Sequence, residues 1–181
     1  MNDAILFSPK RHVDRRGYFS ETYSLRDLQA RGIEDVFVQE NESVSISAGT
    51  LRGLHFQSPP FSQAKLVRCA QGKIYDVIVD IRKGSPHYGQ WSGWYLSEEN
   101  GCQLYVPHGF AHGFVTLEAN TKVIYKCSSY YEPKAEGAIH WDDKELDIDW
   151  PLVALPIVSD KDDQAENFGQ LDSPFVWASL V

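Results

Sequence analysis

The stretch GTLRGLHFQ, residues 49–57, sets a guanidinium at Arg52 and an imidazole at His55, three residues apart across Gly53. An imidazole, with an ordinary pKa of about 6.5, has three uses: a satisfied core side chain, a metal ligand, or a base for a substrate proton. On a regular strand, residues three apart project to opposite faces, so Arg52 and His55 could not share one pocket. A glycine inside a strand often marks a bulge or bend. Gly53 therefore predicts a backbone irregularity that swings Arg52 to the rim of a pocket while His55 stays inside. His108 and His112 are four apart in GCQLYVPHGFAHGF (101–114), but no helical pattern surrounds them. A divalent transition metal needs three or more imidazole or carboxylate ligands at one point, so this pair alone is weak evidence for a metal. Cys69, Cys102 and Cys127 are odd in number and lack a CxxC spacing, which fits reduced thiols.

Strands must position these groups. The runs at 36–40, 43–47, 64–70, 73–82, 88–97, 113–119 and 122–131 are rich in Val, Ile, Tyr and Trp and are separated by turn residues. Their close spacing predicts a β-sandwich or barrel. A short helix is expected over Leu25 to Ala30, capped by Ser24 and ended by Gly32. From Lys161 onward the chain is acidic and without strand periodicity, which predicts a helical or irregular wrap over the barrel. In KIYDVIVDIR (73–82), Ile74, Asp76, Ile78 and Asp80 share one face and Tyr75, Val77, Val79 and Ile81 the other. The acids place the second face in the core and leave Asp76 and Asp80 on a solvated or rim face.

The 181 residues suit one domain, spanning 1–181, with no internal repeat or linker. A composition 43% hydrophobic and 23% charged excludes disorder for most of the chain. The formal net charge of −8 opposes nucleic acid or an anionic membrane as a partner, so a phosphorylated ligand needs a local cluster of cations. No run of 18 apolar residues and no leader-like apolar region occurs, and a cytoplasmic protein is expected.

GCQLYVPHGFAHGF fits G-x5-P-x-G-x2-H, which resembles the second motif of the cupin superfamily, all-β double-stranded β-helix (jelly-roll) barrels. The resemblance implies an upstream H-x-H and Glu in metal-binding members. Here Gln57 stands where the second histidine would be and no Glu follows before Gly72, so no metal and no cofactor are expected. The stretches DRRGYFSE, FVQEN, LRGLHFQ, QAKLVRC, DVIVDIRKGSP, PHGFAHGF, YKCSSYY, IDWP and SDKD, in order from residue 14 to 162, together resemble the dTDP-4-dehydrorhamnose 3,5-epimerase family of RmlC-like cupins.

That resemblance implies a chemistry. A nucleotide-linked 4-keto-6-deoxyhexose loses a proton beside its ketone, forms an enolate, and regains a proton on the opposite face. Such a site needs a base, an acid across the ring, and a cation at the developing oxyanion. By resemblance His55 is the base, Asp162 its orienting carboxylate, Tyr125 the proton donor and Lys65 the cation. A phenol of pKa about 10 stays protonated at neutral pH and suits the donor role. Arg16, Arg52 and Lys161 match cations near the diphosphate or sugar, and Tyr131 matches an aromatic that stacks on thymine. Glu21, Gln39, Glu40, Asn41, His112 and Glu136 match polar pocket positions. The implied partners are the dTDP-linked sugar and a second copy of the chain, with YGQWSGWYLS as an edge that could pair between subunits. His108 stands where many members carry an acid, and Pro59-Pro60-Phe61 makes the following loop apolar and stiff. Both bear on substrate preference. A mono-epimerase, a sugar-nucleotide-binding cupin and a metal-dependent oxygenase are the alternatives, the last lacking its ligands.

Overall fold

The computed structural model describes residues 3–177. Two five-stranded antiparallel sheets face each other. One runs β1 (Ile5–Phe7), β9 (Gln103–Val106), β6 (Lys65–Gln71), β11 (Thr121–Cys127) and β4 (Gln39–Ser45). The other runs β12 (Glu136–Ala138), β5 (Leu51–Gln57), β10 (Phe110–Thr116), β7 (Lys73–Asp80) and β8 (Trp91–Ser97). A separate hairpin, β2 (His12–Asp14) with β3 (Gly17–Phe19), carries exposed Val13, Tyr18 and Phe19. The two expected strands at 36–40 and 43–47 are one, β4, because the chain enters pairing with β11 only at Gln39. The five short strands β1, β2, β3, β9 and β12 were not expected: runs of three or four residues are too brief to display a period.

Val67, Leu104 and Val123 from the first sheet meet Ile74, Ile78, Leu96 and Phe110 from the second in the space between them. A further apolar layer lies on the outer face of the second sheet, where Val77, Val79 and Ile81 pack against Leu146, Trp150, Phe168 and Phe175 from the C-terminal stretch. That stretch is largely irregular, as expected for a wrap. Among the described residues it holds only the short helix α2 (Asp160–Asp163) and a 3-10 turn, and it is pinned by isolated bridges at Ile157 and Glu166. Helix α1 (Leu25–Gln29) forms close to expectation, with the Ser24 hydroxyl accepting from the Asp27 amide. It covers part of the first sheet through Leu28.

The expectation for β7 is corrected by this layering. Both of its faces are buried, and Asp76 and Asp80 have no exposed surface at all. The wrap supplies a second core that an alternation rule based on one solvated face does not anticipate. Asp80 is held by Arg82 and Ser85, and Asp76 by His112.

The irregularity expected at Gly53 is present. His55 pairs with His112 and Arg52 with Phe114, so β5 advances three residues while β10 advances two. Gly53 has φ +129°, and the Gly53–Leu54 peptide is cis. A Cβ at Gly53 would come within 2.5 Å of Gly113 Cα and 2.9 Å of the His112 carbonyl oxygen. The two backbones approach this closely because both positions are glycine. Gly53→Ala is therefore expected to cost about 1–3 kcal/mol from overpacking, with the positive φ adding to it. Gly49 also has positive φ, but nothing lies within 4 Å of its Cβ position. Thermal denaturation of Gly53→Ala and Gly49→Ala checks this: equal losses would show that the close approach carries no cost.

Candidate active site

Two lobes of one cleft open between the sheets, about 480 Å³ and 400 Å³ in volume, and His55, Lys65, Tyr125, Tyr131 and Glu136 line both. His55 comes from β5 in one sheet, whereas Lys65 (β6) and Tyr125 (β11) come from the other. The imidazole therefore faces the phenol and the ammonium across the interior.

The C-terminal wrap brings in Asp162. The Leu51 amide donates to the Ile157 carbonyl at 2.9 Å, and the Ile157 amide to the Gly49 carbonyl at 2.8 Å, which lays this segment along the start of β5. The chain then turns into α2, whose cap Ser159 accepts from the Asp162 amide at 3.2 Å. The Asp162 carboxylate, 3% exposed, lies 2.7 Å from His55 Nε2 and accepts from the Gly53 amide at 3.3 Å. Burial alone would raise this carboxyl, but the hydrogen bond and charge of His55, with the Gly53 and Ser159 donors, hold it below the ordinary carboxylate range. An ionised carboxylate only accepts, so Nε2 donates to it, and in the neutral ring Nδ1 is the nitrogen with the lone pair. Nδ1 has no hydrogen-bond partner among the described residues, and His55 lines the cleft.

Burial pushes the Lys65 ammonium down, against the raising influence of Cys127, Asp76 and Glu136. Burial pushes the Tyr125 phenol up, with Cys127 adding to the shift. His112 is 6% exposed and contacts both oxygens of Asp76, at 3.0 and 3.1 Å. Burial lowers its pKa despite Asp76. Alternation points to Asp76, since its neighbours on the same face, Ile74 and Ile78, are core residues, whereas a lone acid on a strand ordinarily marks solvent.

At the mouth, Lys161 pairs with Glu136 at 2.5 Å, and the Tyr131 phenol donates to Glu136 at 2.7 Å. Arg52 lines the larger lobe and donates to the Val44 carbonyl at 3.4 Å. Gln39 and Asn41 line the smaller lobe, joined by an amide hydrogen bond of 3.0 Å. Three expected site residues stand elsewhere. Arg16, 84% exposed, pairs with Asp14 on the β2–β3 hairpin. Glu21 lines a separate surface hollow beside that hairpin, and Glu40 pairs with Lys126. In a strand of alternating exposure, Glu40 and Asn41 project to opposite faces, so only Asn41 can enter the cleft. Among the described residues, no three His, Cys, Asp or Glu side chains are grouped to hold a metal ion. Nor is any described helix long and apolar enough to cross a membrane.

Residues 1–170 match the sequence profile of dTDP-4-dehydrorhamnose 3,5-epimerase. The chain belongs to this family. The family's enzyme from Salmonella typhimurium is 48% identical over 161 residues, covering 88% of this chain and 87% of that one. The structure of dTDP-4-dehydrorhamnose 3,5-epimerase from Bacillus anthracis with TDP and PPi bound has TM-score 0.89 and 50% identity, covering 91% of this chain and 94% of that one. The family's RmlC from Legionella pneumophila, in complex with dTDP-4-keto-L-rhamnose, has TM-score 0.94 and 43% identity, covering 98% and 96%. The two-sheet architecture is that family's cupin-type jelly roll.

Asp162→Asn leaves a side chain that can donate to Nε2 as well as accept from it, which frees the His55 tautomer. In the parent protein, ¹⁵N spectra are expected to show His55 with Nε2 as the protonated nitrogen; in the variant, a mixture. An unchanged spectrum would mean that Asp162 does not set the proton's position. Because the folded carboxyl is depressed, Asp162 adds stability that is present above about pH 3.8 and is lost as the pH falls through its lower folded value.

Proposed function

We propose that the protein is a cofactor-independent epimerase converting dTDP-4-dehydro-6-deoxy-D-glucose to dTDP-4-dehydro-L-rhamnose, acting at both carbons beside the C4 ketone. The observation that carries this reading is the placement of a carboxylate-held imidazole and a phenol on opposing sheets with one cleft between them. Inversion through an enolate needs that arrangement, because the proton leaves one face of the sugar and arrives at the other.

In this reading, His55 Nδ1 takes the proton from the carbon next to the ketone, and Asp162 stabilises the imidazolium. The electron pair moves onto the ketone oxygen, where Lys65 stabilises the enolate; burial of the ammonium strengthens the effect of its charge. Tyr125 then gives its proton to the same carbon from the opposite face, and exchange with solvent resets both groups. Tyr131 stacks on the thymine ring, Arg52 and Lys161 face the diphosphate or sugar, and His112, Gln39, Asn41 and Glu136 contact the ligand. These cations answer the net charge of −8 locally.

The reading extends to assembly. One domain over 1–181, a cytoplasmic location, and no nucleic-acid or membrane partner belong to it. So does a homodimer, supported by the edge strands β4 and β8, each paired on one side only among the described residues, and by the bare apolar side chains of the β2–β3 hairpin. A hairpin lying on a second copy is the arrangement that would let Arg16 and Glu21 serve a cleft. Light scattering at micromolar concentration is expected to give the mass of two chains.

The deciding experiment incubates the protein with dTDP-4-keto-6-deoxyglucose in heavy water. Deuterium is expected at both C3 and C5, and His55→Ala should abolish it. Exchange at one carbon would make the protein a mono-epimerase, and binding without exchange a sugar-nucleotide-binding module.

The pH profile follows from the shifts. Lys65 acts when charged, and burial makes it lose its proton below the ordinary lysine value of about 10.5. The Tyr125 phenol is displaced upward and is still protonated there. The fall in kcat/KM at alkaline pH thus belongs to Lys65. Lys65→Arg should remove that limb along with much of the rate, whereas Tyr125→Phe should lower the rate on the order of 10²–10⁴-fold with the limb unmoved. A limb that vanishes in Tyr125→Phe would reverse the two assignments.

A further inference from the structure

Gln57 ends β5 where a metal-binding barrel would carry a histidine, and its side chain is 4% exposed. Its amide is used completely. The NH₂ group donates to the Phe61 carbonyl and, at 3.0 Å, to the Tyr130 carbonyl, while its oxygen accepts from the Glu132 amide at 2.9 Å. Tyr130 and Glu132 are the two chain neighbours of Tyr131. One buried amide therefore grips the backbone on both sides of the aromatic residue at the cleft mouth and ties it to the loop carrying Pro59 and Pro60.

Tyr131 itself is 53% exposed, with little packing to hold its ring. Its orientation comes from hydrogen bonds: Gln57 on both flanks, Gln39 accepting from its backbone amide at 2.9 Å, and Glu136 accepting from its phenol at 2.7 Å. An exposed aromatic ring fixed from behind is what a stacking platform requires, since a ring ordered beforehand does not lose that freedom on binding.

We propose that Gln57 is a positioning residue that pre-organises Tyr131 for stacking on the nucleotide base and so sets affinity for the nucleotide half of the substrate. This inference rests on the reading of the cleft as a dTDP-sugar site with Tyr131 against the base. It gives the loss of the histidine ligand a consequence: an amide has two donors and an acceptor at one end, and so bridges a carbonyl on each of two loops and an amide where imidazole could not.

The test is a double-mutant cycle on the full chain, with dTDP as the probe in calorimetric titration. Gln57→Met keeps the volume and removes all three bonds. It is expected to weaken dTDP binding on the order of 10-fold and to raise KM similarly, with kcat within about twofold of the parent. In a Tyr131→Ala background, the same change should cost no further affinity. Gln57→Glu keeps the acceptor for Glu132 and turns a carboxylate oxygen toward two carbonyls. It should show the same pattern and carries the test if the apolar variant does not fold. A loss of dTDP affinity that is undiminished in the Tyr131→Ala background, or a fall in kcat at unchanged KM, overturns the inference alone. If Tyr131→Ala by itself binds dTDP as tightly as the parent, the stacking reading falls and the inference with it.

Discussion

The hydrogen bond from His55 to Asp162 joins two parts of the chain 107 residues apart, and much of the architecture serves to bring them together. The carboxylate is nearly devoid of solvent, so it needs donors, and it draws them from the imidazole and from the Gly53 amide. A buried carboxylate without them would take up a proton and release the ring. The bulge at Gly53 contributes twice. It turns one backbone amide toward Asp162, and it lets Arg52 and His55 reach the same cleft from positions that a flat strand would send to opposite sides.

The wrap does more than bring in Asp162. By covering the outer face of the second sheet, it turns β7 and β10 into strands buried on both sides, while Asp76 and His112 pair on the inner faces beside Ile74, Ile78, Phe110 and Phe114. The cleft lining thus holds paired ionisable groups, His112 backed by Asp76 and Glu136 with Lys161, beside Lys65, whose burial pushes its ammonium down. Such an environment holds its dipoles in place before a ligand arrives, and no reorganisation is then needed as charge develops on an oxygen.

How much of this was legible in the residues follows from what local pattern can carry. The longer strands were readable because alternation of Val, Ile and Tyr reports a pleated surface directly. The Gly53 irregularity was readable because the conflict between spacing and side-chain direction admits few resolutions. The role expected of Asp162 came from likeness to a family, since nothing in an acidic tail says that one of its carboxylates is buried. Asp76 and Asp80 stand apart from the expectation because a charged residue on a strand usually marks water, and the second apolar layer comes from distant residues between Leu146 and Phe175. Arg16, Glu21 and Glu40 were matched by motif alone. Motif likeness records that a position matters in a family but not which side of a strand it occupies, or whether it serves its own barrel.

The pairing of residue 157 with the start of β5 also has a temporal meaning. A chain emerging from the ribosome has made all of its described barrel strands but β12 by residue 127, with Tyr125 and Lys65 among them, but the carboxylate that holds His55 arrives only with residue 162. Until then the cleft lacks the part of its lining from Ile157 to Asp162, and His55 lacks its carboxylate partner. Competence is thus the last property the polypeptide acquires. A nascent or prematurely ended copy could fold much of its β structure yet remain silent toward a reactive keto sugar.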